Sequence, residues 1–238
     1  MVLLLFVDLD PALAALRPLG AFFALRTTGA PDPAPPTLAR TYENQASDVY
    51  GHSITFRIRK VGEALHAPEP RIAASIAHQA LAARLWSVAL GCAVHYGRIP
   101  DLDPRLLDWD PDGSAPDDLW LSAVRPLPGD AATIAAVVLQ GHLEPLAALL
   151  HDHHRVATGL LWGNAASALT GAVRQLGGDR ARALGAELLA HPLLAGALDP
   201  VTLRRRSCCL YYRLPGSGVC GDCCFTRAPR SSAHGASG

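Results

Sequence analysis

The chain has 238 residues, half of them hydrophobic, with 21 basic and 21 acidic side chains and a mean hydropathy of +0.17. That length and apolar content suffice to bury one substantial core. The balanced charge offers no field for nucleic acid or an anionic membrane, and no stretch of the sequence reads as a transmembrane span.

Residues 1–7 are apolar but lack a basic flank, and Asp8 and Asp10 interrupt them before a secretory segment and cleavage site can develop. The expected compartment is therefore the reducing cytoplasm. The proline-rich stretch 28–36 reads as a loop. At 53–59, Ile54, Phe56 and Ile58 alternate with polar residues and predict a strand; residues 120–124 predict another, leaving room for a small hairpin or sheet.

Helical spacing dominates the middle of the chain. Ala74, His78, Leu81, Leu85, Val88 and Cys92 recur every three or four residues, predicting a helix over 69–95 that begins after Pro68 and Pro70 and ends near Gly97. Cys92 on this stripe is a small buried hydrophobe, His78 and His95 are core histidines with satisfied ring nitrogens, and Arg84 and Trp86 belong to helix surface and core. Asp130 can cap a helix carrying Ile134, Val137 and Val138, while Leu146, Leu149 and Leu150 mark another after Gly141. A further helix covers 156–176 and is closed by Gly177 and Gly178, and Asp179 opens a last one reaching residue 190. His151 and His154 stand one turn apart, where they sit well against the negative pole of a helix end, a simpler reading than a metal pair. Gly163 signals close backbone packing, and Asn164 can hydrogen-bond a neighbouring loop in a structural role.

Five of the six cysteines fall within 208–224. Cys208 and Cys209 are adjacent, ten residues separate them from Cys220, two more precede Cys223, and Cys224 is left over. In a reducing compartment such clustered thiols are ligands or redox groups. Structural zinc prefers two Cys-x2-4-Cys knuckles, which adjacent cysteines fit poorly because neighbouring side chains in extended backbone diverge; a two-iron cluster offers two separate metal corners. Iron and sulfur are therefore favoured, with zinc as the alternative. Gly216, Gly218 and Gly221 allow positive φ and can turn amides towards sulfur, in a turn joining two extended pieces of which 210–213 is one. Arg204, Arg205 and Arg206 read first as a solvated face, although positive charge beside a cluster would stabilise its reduced state. Cys224 is expected to point away once Cys223 faces the site, and so to be a bystander.

This pattern resembles the FhuF-type ferric-siderophore reductase family, whose signature Cys-Cys-x10-Cys-x2-Cys binds a 2Fe-2S cluster and is matched by Cys208, Cys209, Cys220 and Cys223. Residues 72–87 and 161–168 look like segments of the same family, so that the likeness covers residues 40–225. The resemblance implies that those four cysteines are the cluster ligands. It further implies a cytoplasmic oxidoreductase that takes an electron from an unidentified donor and reduces an imported ferric siderophore, releasing Fe(II), with at most peripheral membrane contact. An iron-sulfur electron-transfer protein serving a partner enzyme and a zinc-stabilised binding module are the alternatives. The expected architecture is mainly α: a single domain with a helical body over 1–203, a C-terminal iron-sulfur flap over 204–225 and a disordered tail over 226–238.

Overall fold

The computed structural model describes residues 9–229; the apolar start of the chain up to residue 8 and the expected tail from residue 230 lie outside the described residues. The fold is mainly α, and its axis is α4 (Pro70–Tyr96). Pro70 stands in the first turn, where a missing N–H costs nothing, and the helix stops at Gly97, whose φ of 69° is left-handed and whose N–H returns to the Ala93 carbonyl. Nearly every face of α4 is covered. Its most extensive partner is α7 (Thr158–Leu176), and alanines on both helices let the backbones approach closely. Trp86 locks the crossing: it is fully buried and its indole Nε1 donates to the Ala165 carbonyl at 3.1 Å. Truncating such a side chain to alanine costs about 3–5 kcal/mol.

The segment expected as a strand at 53–59 is a helix, α3 (Ser53–Ala64), packed on α4. Ile54 and Ile58 are buried one turn apart while Phe56 between them is only half-buried, so the residues that alternate along a strand also match a helical period of four. Among the described residues the strands form three short antiparallel pairs. These are β1 (Ala46–Ser47) with β2 (Gly51–His52), β3 (Arg98–Pro100) with β6 (Pro126–Pro128), and β4 (Leu107–Trp109) with β5 (Leu119–Leu121). Asp108 lies opposite Trp120 in the last pair, which holds part of the stretch expected at 120–124. The proline-rich loop runs where expected.

After the strands, α5 (Ala131–Ile134), a π-helical stretch Ala135–Leu143 and α6 (Glu144–His154) form one continuous rod rather than two helices. Asp130 caps its start by accepting from the Thr133 N–H at 2.8 Å. Pro145 supplies no N–H to the Gly141 carbonyl and its ring would press on it; the wider π turn immediately upstream relieves that contact. The rod spans 24 residues and its 18-residue window has a mean hydropathy of 1.5, long and apolar enough by length and composition to cross a membrane, contrary to the expectation that no stretch qualifies. Over its most apolar window 56% is buried, and Leu139, Leu143, Leu146 and Leu150 belong to the common core. Finally α8 (Gly178–Leu189) folds back on α7, and the short α1 (Leu9–Ala15) and α2 (Leu38–Tyr42) close the edges.

Candidate metal centre

The cysteine segment leaves α8 and packs against α4 and α7 through its own polar groups. Its two limbs meet where the Arg205 N–H donates to the Asp222 carbonyl at 2.9 Å, and Cys223 N–H closes a turn onto the Cys220 carbonyl at 3.1 Å. Between them Tyr211–Arg213 forms a 3-10 turn, not the extended piece expected at 210–213. Leu210 just before it is left-handed at φ 67°, a costly conformation for a branched side chain, and this brings its N–H to 3.3 Å from the Cys208 Sγ. Of the three glycines expected to turn with positive φ, Gly216 does so; Gly218 and Gly221 do not. Phe225 N–H approaches the Cys223 Sγ at 3.4 Å, a second amide aimed at sulfur.

The thiols gather in two groups. Cys209 and Cys220 have their Sγ atoms 3.4 Å apart, far beyond a disulfide bond and close to the edge of a metal-thiolate tetrahedron. Cys208, Cys223 and Cys224 lie close enough for the charge of each to act on its neighbours, so Cys224 is not remote from the other thiols as expected. A left-handed or turned backbone does not alternate side chains as a strand does, which is why adjacent residues can converge here. Burial raises the pKa of Cys208 and Cys220, and neighbouring thiols push it further; Cys224 is pushed up to about 11 by burial and then by the charges of Cys208 and Cys223. Such a group holds several thiolates only when cations lie among them.

Arginine and amide side chains fix this loop. Arg205 is 3% exposed, so the basic run is not a solvated face. Its Nε donates to both carboxylate oxygens of Asp222 at 3.1 Å and its Nη1 to the Asn164 Oδ1 at 2.6 Å. Asn164 in turn donates to the Ser75 carbonyl at 2.8 Å, and the Ser75 hydroxyl donates to the Cys209 carbonyl at 2.8 Å. Arg204 donates to the carbonyls of Cys223 and Phe225, both at 2.8 Å, while Arg206 faces solvent. Gly163 lies beneath Ser207: a Cβ there would sit 2.3 Å from the Ser207 Oγ, which donates to the Gly159 carbonyl at 2.7 Å.

Other candidates resolve differently. Cys92 is fully buried, its thiol pushed up to about 12 by burial, as a small hydrophobe should be. His78 is buried without a hydrogen-bond partner among the described residues, not satisfied as expected, and burial with the Arg205 charge holds it down to about 3. Arg84 is 2% exposed rather than a surface residue, donating to the Ala21 carbonyl at 2.7 Å. His151 receives its partner locally, through the Val156 carbonyl at 3.0 Å, at the end of α6.

Residues 205–225 match the family model described as FhuF 2Fe-2S C-terminal domain, and residues 102–214 match the one described as ferric iron reductase FhuF-like transporter. Together they cover more than half of the chain. The chain belongs to the FhuF-like family. No curated protein matches it. The cofactor of this FhuF-like chain is a 2Fe-2S cluster, and the residues present fit one. Among the described residues no group of three or more His, Cys, Asp or Glu side chains is arranged to hold one metal ion, whereas Cys209 and Cys220, one from each limb, meet as the pair of thiols that one iron of such a cluster takes. Arg205, Asp222 and Ser75 carry no local sequence signal for this role, because each acts through a partner distant in the chain; only Asn164 announced itself, as a polar residue inside an apolar helix.

Proposed function

We propose that the protein is a cytoplasmic ferric-siderophore reductase in which Cys208, Cys209, Cys220 and Cys223 hold the cluster. The observation that carries this reading is the convergence of thiols from the Cys-Cys and Cys-x-x-Cys limbs beside two arginines in a chain of this family. When bound, a 2Fe-2S cluster supplies one-electron transfer. The chain's own residues set its surroundings: Arg204 and Arg205 offset the negative charge of the thiolates, and the Leu210 and Phe225 amides hydrogen-bond two of the sulfurs. Asn164 and Ser75 hold the loop on the helices, so residues 204–225 act as a flap of a single domain with the body over 1–203.

The substrate chemistry is that of iron. Fe(III) in a siderophore is a hard cation held by anionic oxygens; one added electron gives Fe(II), which suits them less and leaves. The electron comes from an external one-electron donor. The test is anaerobic reduction by dithionite, removal of excess reductant, and addition of a ferric siderophore with a ferrous-selective chelator. One Fe(II) trapped per cluster reoxidised supports the reading. A cluster that stays reduced before every ferric chelate, yet is reoxidised by a protein partner, would make the chain an electron carrier instead.

A further inference from the structure

A groove of about 580 Å³ opens between the 3-10 turns Arg17–Leu19 and Ala21–Phe23, α4 and α7, and one of its walls is the Gly221–Asp222 corner of the cysteine loop. Its volume is that of a small-molecule site. We propose that this groove seats the oxygen-donor ferric chelate, an inference that rests on the reductase reading above and gives it a place.

Three observations carry it. The first is position: Asp222 lies between Cys220 and Cys223, and its Oδ1 is 3.5 Å from the Cys220 Sγ. A chelate resting on this corner is one side chain from a cluster ligand, and electron transfer weakens steeply with distance. The second is chemistry. Gln79 from α4 brings an amide donor that suits the oxygen shell of a ferric chelate, Gln175 from α7 adds the second hydrogen of an amide whose Nε2 also donates to the Leu19 carbonyl at 2.9 Å, and half-exposed Phe22 offers its ring to the organic scaffold. The Asp222 carboxylate is already engaged at both oxygens by the Arg205 guanidinium, so it neither repels an anionic oxygen shell nor competes for the metal. The third is Gly171. It sits mid-helix on an exposed part of α7, where glycine costs about 1 kcal/mol relative to alanine. A Cβ there would meet nothing within 4 Å, so no packing inside the chain requires glycine at this place. Its absent side chain keeps the groove clear.

Because Gly171 faces open space, enlarging it obstructs the groove without disturbing the core. The probe is the gallium(III) complex of desferrioxamine, a redox-inert trihydroxamate chelate, titrated into the holoprotein by calorimetry. Affinity should fall in the order Gly171→Ala, Gly171→Leu, Gly171→Trp, by about tenfold or more at the largest. Iron and sulfide content should stay constant throughout, and Arg182→Leu on α8, outside the groove, should bind as the unaltered protein does. No binding of the gallium chelate, or equal binding by all Gly171 variants, overturns the groove. If the variants also reoxidise with the ferric chelate at the original rate, the reductase reading stands and only its location falls. If gallium binding follows the predicted order but no ferric chelate reoxidises the cluster, the groove stands and the reductase reading fails.

Discussion

Asn164 is the residue on which the cysteine loop depends most. Both ends of its buried amide are engaged, one by the Arg205 guanidinium and the other by the Ser75 carbonyl and hydroxyl. Asn164→Ala would leave a buried guanidinium nitrogen unpaired, at about 1–3 kcal/mol, while the Ser75 carbonyl keeps its bond within α4. The holoprotein should then melt at lower temperature and lose iron faster to a chelator; unchanged values for both would show that the Ser75 to Asp222 chain of hydrogen bonds is incidental. The cysteines make a sharper test at the same scale. Cys208→Ser, Cys209→Ser, Cys220→Ser and Cys223→Ser should each empty or alter the cluster, because an alkoxide replaces thiolate poorly on iron, whereas Cys92→Ser should keep the visible bands. Cys224→Ala should retain iron and sulfide but shift the reduction potential, since Cys224 lies close enough for its charge to act on Cys208 and Cys223. Loss of the cluster in Cys224→Ala, with retention in Cys223→Ala, would move the ligand set by one residue.

At the level of elements, the punctuation of the helices was legible and their partners were not. Pro70, Gly97, Asp130 and Gly177 mark their boundaries by local backbone chemistry, which a sequence displays directly. Ile54 and Ile58 satisfy a strand and a helix alike, and packing on α4 decides for the helix. Gly141 looked like a boundary, yet the backbone passes through it in the π stretch. That stretch carries His142, whose Nε2 donates to the Leu102 carbonyl while its Nδ1 accepts from the Tyr42 hydroxyl at 2.8 Å. The ring is therefore neutral, and burial holds its pKa down to about 4. In the unfolded chain it protonates near 6.5, so between pH 6.5 and 4 the unfolded state binds more protons and stability falls as pH falls, by about 3 kcal/mol. Buried His78 adds to the same slope. Urea unfolding at pH 7 and pH 4.5 should show the loss, reduced in His142→Gln; an identical pH dependence in that variant would contradict the assignment. The joint between flap and body is tested at Gly163: Gly163→Val should push Ser207 off the Gly159 carbonyl and loosen the cysteine segment, read as faster proteolysis near residue 204 with the helical signal retained.

For the whole molecule, the candidate site was legible because its proposed ligands are local: two adjacent cysteines, a ten-residue span and a Cys-x-x-Cys lie in one short segment. What holds that segment is not local. Arg205 meets Asn164 across 41 residues and Ser75 meets Cys209 across 134, and no periodicity in the chain reports such pairings. The helical body thus serves as a frame in which α4 and α7 each present a polar group to an otherwise coreless loop. On the proposed reading residues 204–225 carry the chemistry, and the helical body fixes where it faces. The most direct measurement is the iron, acid-labile sulfide and zinc content of anaerobically purified protein, with electron paramagnetic resonance before and after one-electron reduction. Two irons and two sulfides per chain, silent when oxidised and paramagnetic with one unpaired spin when reduced, are the expected result. One zinc per chain with no labile sulfide would contradict the cluster and the electron-transfer chemistry built on it.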